Sequence, residues 1–153
     1  MASIEDQKVD YSWNIPYSAV VGETYALFMK GMKDKKIMGN TCKSCKGVHF
    51  PAKPFCDKCY EACDEWVELD GSATLVTYAV CYIPMPHLPK PPSITGIINF
   101  NGSILNFVHN VGGIDVSDPT KVEEQLTVGM KLKPVWKDVR EGDMFDIDYF
   151  EPA

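Results

Sequence analysis

The sequence predicts a mainly β protein in which one helix and a four-cysteine segment precede a small barrel. Three observations support this. Positions 22–36 repeat apolar residues at helical spacing, two cysteine pairs follow, and segments rich in β-branched and aromatic residues occupy much of the chain from residue 73 onward. The 153 residues are 45% hydrophobic, with 11 Gly and 11 Pro, which suits one loop-rich domain with an appendage.

The N-terminal part begins with an aromatic segment and continues into an amphipathic helix. Residues 11–17 are too apolar for a free tail, so we expect them to pack against something. From residue 22 to residue 36 the apolar positions recur every three or four residues, which predicts a helix with one apolar stripe. The stripe consists of Tyr25, Phe28, Met29 and Met32. It faces the core or a partner, and the interface candidates in this part are Trp13, Tyr17, Phe28 and Met32.

Four cysteines follow the helix with the spacing C-x2-C-x10-C-x2-C. They are Cys42, Cys45, Cys56 and Cys59. Each CxxC pair closes a tight loop that presents two sulfurs to one tetrahedral ion, so the pattern predicts a rubredoxin-like zinc ribbon. Iron also suits four thiolates, and two disulfides are the remaining alternative. Because four thiolates fill a tetrahedral shell, we expect the zinc to be structural.

Few other residues suggest metal or substrate chemistry. Cys63 lies close enough to the second pair to replace a ligand, but Cys63 and Cys81 fit the pattern of ordinary buried cysteines better. His49 has no second histidine at ligand spacing, so we expect a packing or surface residue. The sequence contains no G-x-S-x-G, H-E-x-x-H, G-x-G-x-x-G or P-loop motif. We therefore predict no catalytic residue in this chain.

Charge is distributed unevenly along the chain. Eight lysines and only two acids lie between Lys30 and Lys58, although the net charge of the whole chain is −6. This pattern predicts a basic finger joined to an acidic body. Two interpretations remain open. Both charged surfaces simply face solvent, or the basic finger binds an anionic ligand or an acidic partner.

The second half reads as five strands with one helix inserted. The predicted strands are 73–83, 94–100, 103–109, 131–137 and 144–150, with Asn101-Gly102 as a hairpin turn and a helix over 117–126 capped by Ser117 or Asp118. Three strands, a helix and two strands follow one another in this order in a five-stranded OB-fold barrel. The predicted units are the N-terminal segment and helix at 1–36, the zinc ribbon at 37–64 and the OB-fold at 65–153.

These features together resemble the family named domain of unknown function 35 (DUF35). The resemblance rests on a leading helix, then GNTCKSCKGVHFPAKPFCDKC, WVELDGSATLVTYAV and the late VGMKLKPVW, and it covers about residues 22–150. One departure is Lys46, where many relatives have Gly directly after the second cysteine. Because Gly47 comes one place later, we expect the turn of the first cysteine pair to be shifted.

The resemblance implies a non-catalytic subunit that assists an acyl-CoA enzyme. Family members accompany thiolase-fold enzymes, 3-hydroxy-3-methylglutaryl-CoA synthase-like enzymes or hot-dog-fold hydratases, where they bridge subunits and help to bind acyl-CoA. The implied partner is a thiolase-like catalytic subunit, and CoA is the implied shared ligand. Because CoA carries phosphates, its candidate contacts are Lys43, Lys46, Lys53, His87 and Arg140.

A cluster of five prolines lies between the first two predicted barrel strands, at residues 84–93. It is a stiff spacer or, as a pre-ordered loop, a contact for the partner, with Met85 and Leu88 as interface candidates. His109 is expected at the end of a strand, where it is incidental or near substrate.

Two functions from other classes remain as alternatives. A single-stranded nucleic-acid binder needs a basic groove, whereas the predicted barrel is acidic, and a rubredoxin-like electron carrier needs iron in the cysteine site. The N-terminus shows no basic stretch followed by an apolar run, so we expect a cytoplasmic protein without membrane contact.

Overall fold

The computed structural model describes residues 15–84 and 89–153. The predicted roles of Trp13, Met85, His87 and Leu88 therefore lie outside the described residues. Helix α1 spans Glu23–Lys33 and buries Phe28, Met29 and Met32, whereas Tyr25 at the edge of the predicted stripe is 43% exposed. The stripe thus faces the core of this chain.

The ribbon is a small antiparallel sheet. Strands β1 (Ile37–Cys42), β2 (Val48–His49) and β3 (Cys63–Leu69) are arranged in the order β2-β1-β3. The four cysteines lie in and around the two loops of this sheet. β3 continues past residue 64, where we expected the ribbon to end, because it pairs with all of β1 from Ile37↔Leu69 to Cys42↔Cys63.

The second half closes into a barrel of five strands. These are β4 (Ala73–Cys81), β5 (Ser93–Phe100), β6 (Phe107–Val111), β7 (Lys131–Trp136) and β8 (Ile147–Pro152), with helix α2 (Pro119–Gln125) between β6 and β7. The strand order around the barrel is β4-β5-β6-β8-β7, and only β6 and β8 run parallel. This is the OB-fold order, so the predicted fold class is confirmed.

The described residues contain two short α-helices, of 11 and 7 residues. Asp118 caps α2 by accepting a hydrogen bond from the Thr120 N–H at 2.8 Å, as one of the two predicted caps. Neither α1 nor α2, the α-helices of the described residues, has the length and hydropathy of a membrane-spanning helix.

The third barrel strand begins four residues later than the sequence suggests. Gly102 takes the expected positive φ of +87°, but residues 103–106 leave the hairpin. Ser103 forms a bridge with Val48 of the ribbon, and the Phe50 N–H donates to its Oγ at 3.2 Å. Contacts with the ribbon thus replace strand pairing at the start of the predicted strand.

The last strand is also shifted, from 144–150 to Ile147–Pro152, and a short 3-10 turn over Met144–Asp146 precedes it. Asp146 explains the difference because its carboxylate, 3% exposed, accepts backbone N–H bonds from Glu141, Gly142 and Asp143. These bonds fix a turn where apolar alternation alone predicts a strand.

One ring joins the helix, the ribbon and the barrel. Phe50, from the ribbon, is completely buried. Its ring centroid lies 5.4 Å from Phe28 of α1, 4.6 Å from Phe100 of β5 and 5.3 Å from Phe107 of β6, all in edge-to-face arrangements. The three parts therefore share one hydrophobic core.

We expect Phe50→Ala to destabilise the protein by about 3–5 kcal/mol, because it leaves a cavity at the point where the three parts meet. Urea unfolding followed by tryptophan fluorescence and by far-UV circular dichroism measures the change. The matched control is Phe145→Ala, which removes a ring that is 61% exposed and should cost less than about 1 kcal/mol. Equal losses for the two variants would contradict the role assigned to Phe50.

Candidate metal centre and surrounding surface

The two cysteine pairs lie on matching turns. In the first turn, the Lys46 N–H donates to the Cys42 carbonyl and the Cys42 N–H donates to the Gly47 carbonyl, both at 3.0 Å. The second turn repeats both bonds at 2.9 Å, from Tyr60 to Cys56 and from Cys56 to Glu61. The spacing of the cysteines thus produces two equivalent loops that face each other.

Lys46 does not shift the first turn. It has a φ of +58°, the same value as Tyr60 at the equivalent place in the second turn. A lysine therefore occupies the left-handed position that glycine adopts more readily, and Gly47 comes after the turn has formed. The expectation that Gly47 displaces the turn is wrong, because the hydrogen bonds to Cys42 fix its register.

The four sulfurs form one compact group. The Sγ atoms of Cys42, Cys45, Cys56 and Cys59 all lie within 4.8 Å of one another, and those of Cys45 and Cys56 are 3.8 Å apart. Zn–S bonds of about 2.3 Å in a tetrahedron require sulfurs about 3.8 Å apart. The donor set and its size fit a zinc ion, with Cys42 and Cys56 on the buried side and Cys45 on the exposed side.

The turns also favour thiolates on the buried side. Backbone N–H groups, chiefly that of Cys45, lower the pKa of Cys42 to about 7. The N–H groups of Lys58 and Cys59 likewise lower the pKa of Cys56. Contact with the Cys45 side chain raises the pKa of Cys59 to about 11, so in the absence of a metal the four sulfurs do not all ionise readily. A divalent cation supplies the charge that stabilises all four as thiolates.

Cys63 lies beside the cluster but outside it. Its side chain is 3% exposed, its Sγ lies 3.6 Å from His49 Nδ1, and burial raises its pKa to about 11. His49 is itself 1% exposed. Both residues thus pack under the ribbon as expected, and the four clustered cysteines are the candidate ligands.

A buried asparagine that the sequence did not single out supports the site. Asn40, completely buried in β1, donates from Nδ2 to the carbonyls of Lys53 and Cys63, both at 2.6 Å, and accepts from the Lys53 N–H at 3.0 Å. It thereby ties the loop before the second cysteine pair to β1 and β3. The sequence does not predict this role, because a single asparagine in a strand belongs to no recognisable motif.

Comparisons with known proteins agree with this architecture. Residues 66–137 match the family model described as "ChsH2, C-terminal OB-fold domain". The chain is 28% identical over 116 residues to a "DUF35 domain-containing scaffold protein" of Methanocaldococcus jannaschii, which covers 74% of this chain and 77% of the relative. Over its barrel and most of its length, this chain is thus similar to DUF35 proteins.

Two solved structures share the fold. The "Ltp2-ChsH2(DUF35) aldolase" has a TM-score of 0.62 at 21% identity, covering 89% of this chain and 99% of that one. A DUF35 protein of unknown function from Sulfolobus solfataricus has a TM-score of 0.65 at 19% identity, covering 86% and 87%. At such identities the likeness extends to the fold.

The lysines of this chain do not form an open basic finger. Lys43 Nζ lies 2.6 Å from Asp64, Lys46 Nζ lies 3.9 Å from Glu65, and Lys53 pairs with Asp57. The acids at 64 and 65 belong to β3, which the sequence count from Lys30 to Lys58 did not include. The sheet brings them alongside the lysines, so the predicted basic surface is largely compensated, although the pairs are exposed and weak.

Arg140, a predicted CoA contact, donates hydrogen bonds to three backbone carbonyls. Its Nε donates to the Lys33 carbonyl at 2.8 Å, and one terminal nitrogen donates to the carbonyls of Lys137 and Asp138 at 2.7 and 2.9 Å. The guanidinium therefore caps the end of α1 and holds the loop after β7 against it. These bonds occupy Nε and one terminal nitrogen, so a phosphate could be met only by the other terminal nitrogen.

His109 lies in the middle of β6, where we expected a strand end. Its ring is 6% exposed, stacks on Phe107 at 5.3 Å between centroids, and its Nε2 lies 3.2 Å from the Met144 carbonyl. Burial lowers its pKa, so the neutral ring is part of the core. It is therefore an unsuitable substrate contact.

The interface candidates divide into two groups. Phe28 and Met32 are 1% and 0% exposed because they pack in the core, so they offer no surface to a partner. The end of the N-terminal segment is the opposite case, with Tyr17 at 86%, Ile15 at 67% and Val20 fully exposed. Within the described residues this apolar segment is not covered by the rest of the chain.

The metal site predicts one equivalent of zinc per chain. Cys45→Ser should lower the bound metal well below one equivalent, whereas Cys81→Ser, outside the cluster, should keep it. Because Phe50 belongs to the shared core, a chelator should unfold the ribbon and also lower the Tm of the barrel.

Elemental analysis of protein purified without added metal, and thermal unfolding with and without chelator, measure these effects. Less than half an equivalent in the unaltered chain would contradict the site. A red protein containing iron would instead assign it to the rubredoxin-type alternative.

Proposed function

We propose that this chain is a non-catalytic accessory subunit that docks on a thiolase-type catalytic subunit of an acyl-CoA enzyme complex. The observation that carries the proposal is the exposed apolar segment from Ile15 to Val21. Exposure of apolar side chains to water is unfavourable, so such a segment binds readily to a complementary surface.

The names of two similar proteins support the same class. One is a scaffold protein, and the other is an aldolase in which a DUF35 chain accompanies a second component. A scaffold role also agrees with the tetrathiolate site, because a complete shell leaves no position for water or substrate. Bound zinc would hold the two turns together and thereby fix the shape of the ribbon for docking.

The finer proposal concerns the reaction of the complex. We place this subunit beside thiolytic cleavage of a 3-oxoacyl-CoA by free CoA, with the nucleophilic cysteine on the catalytic subunit. As the 3-oxoacyl-CoA we propose benzoylsuccinyl-CoA, the substrate of a thiolase of anaerobic toluene degradation that has a small zinc-finger subunit. The cytoplasm is the proposed compartment, since free CoA and acyl-CoA are substrates there.

Changes in the exposed segment should separate the subunits without unfolding either one. Tyr17→Ala and Val20→Asp should each reduce co-purification of the catalytic subunit at least fivefold, because these side chains are exposed here and buried in the proposed complex. The control is Val139→Asp, at a residue that is 78% exposed elsewhere.

The measurement is affinity purification from the native cells, mass spectrometry of the large subunit and a melting curve of each variant. Unchanged recovery of a thiolase-type subunit by the Tyr17 and Val20 variants would remove the segment from the interface. Recovery of no thiolase-type subunit by the unaltered chain would contradict the proposed function.

The ribbon lysines should contribute little to CoA binding. Each of Lys43, Lys46 and Lys53 already lies beside a carboxylate, so a phosphate would have to displace that partner. Replacing all three with alanine should weaken CoA binding by the complex no more than about fivefold, as expected for exposed ion pairs. Isothermal titration of CoA into both complexes tests this. A larger loss would assign the phosphates to the ribbon.

A further inference from the structure

The outer surface of the first three barrel strands is almost without charge. The pairing of the strands places Thr77, Ile97 and Val108 in one row and Ala79, Thr95 and Asn110 in the next. All six side chains are exposed or half-buried, whereas alternate residues such as Ile98 and Phe107 are buried in the core. We call these six residues the neutral face.

The absence of charge extends along the whole sequence of this region. From Ala73 to Ile114, Lys90 is the only Asp, Glu, Lys or Arg, although these types make up 24% of the chain. A sheet surface that remains in water usually carries charged residues, which keep it soluble and prevent association. The centre of a protein–protein interface, in contrast, is depleted in charge.

The position of the face also suggests binding. β5 and β6 are the second and third barrel strands, and OB-folds commonly bind their ligands on the surface of these two strands. A nucleic acid would require cations for its phosphates and aromatic rings for its bases, and the neutral face has neither. A protein surface is the class of ligand that small and β-branched side chains fit.

We propose that the neutral face is where the catalytic partner docks, through a patch of its own that is likewise uncharged. This inference rests on the proposed function and adds the place of contact. A second copy of this chain fits less well, because two chains of net charge −6 repel each other. An uncharged patch on a partner with a different net charge would not face this electrostatic repulsion.

The connection between β5 and β6 also contacts the ribbon. Ile104, 41% exposed, donates its N–H to the Val48 carbonyl at 2.8 Å. Its side chain also lies directly over Gly47, where a Cβ would come within 2.7 Å of the Ile104 Cδ1 atom. Barrel and first cysteine turn thus contact each other at the end of the β5–β6 hairpin, so a partner that covered the neutral face and extended past this end would also reach the ribbon.

Charge insertion tests the proposal with a closely matched control. Val108 on the neutral face and Val128 outside it are 61% and 59% exposed. Val108→Glu and Val108→Lys should each weaken binding at least tenfold, because either charge would be buried without a partner. Val128→Glu and Val128→Lys should leave it unchanged.

The probe is the thiolase-type subunit that co-purifies with the unaltered chain, titrated against each purified variant. Melting curves establish that every variant is folded, and Thr95→Lys provides a second position on the face. A tenfold loss at Val108 and Thr95 with no loss at Val128 would support the proposal.

The remaining outcomes separate the two claims. If the complex forms and the Val108 variants bind as tightly as the unaltered chain, the neutral face is not the docking site and the proposed function stands. If Val108→Lys binds more tightly while Val108→Glu binds less, the partner's patch is acidic and the proposal is wrong. If no thiolase-type subunit binds the unaltered chain, both claims fall.

Sedimentation of the isolated chain distinguishes the second occupant. A dimer that Val108→Glu dissociates and Val128→Glu does not would assign the face to self-association, which would overturn the proposal.

Discussion

Burial of the Phe50 ring is the interaction on which the arrangement of this protein depends. The ribbon has little apolar content of its own, and its completely buried phenylalanine ring lies among Phe28, Phe100 and Phe107. Edge-to-face packing among these four rings connects α1, the ribbon and the barrel in one core. Metal binding at the cysteines would therefore contribute to the stability of the barrel, because a bound ion would fix the chain on one side of Phe50 while the core holds it on the other.

The same connection positions the surfaces that are proposed to bind the partner. Ser103 and Ile104 leave the β5–β6 hairpin to contact Val48 and Phe50, which joins the end of this hairpin to the ribbon. Nearer the N-terminus, α1 buries its apolar stripe in the core. The segment at residues 15–21, which precedes α1, remains exposed. A partner that contacts barrel, ribbon and N-terminal segment together gains from this fixed geometry, since little conformational entropy remains to be lost on docking.

Several features were predicted because they depend on local chemistry. The cysteine spacing specifies a four-sulfur site, Asp118 and Pro119 specify the start of α2, and alternation with turn residues specifies strands in OB order. The shifts at β6 and β8 were not predictable in this way. Ser103 bonds to the ribbon in place of strand pairing, and the Asp146 carboxylate accepts three backbone N–H bonds that form a turn. Neither hydrogen-bonding role is visible in the alternation of apolar residues.

The sequence by itself determined the fold class, the four clustered cysteines and the family resemblance, because spacing and periodicity act over a few residues. Only the tertiary structure decided what lies on the surface. It placed Asp64 and Glu65 beside Lys43 and Lys46, turned Arg140 onto backbone carbonyls, and buried Phe28 and Met32. It also aligned Thr77, Ile97 and Val108 from three strands into one uncharged row, since strand pairing brings together residues that are distant in sequence.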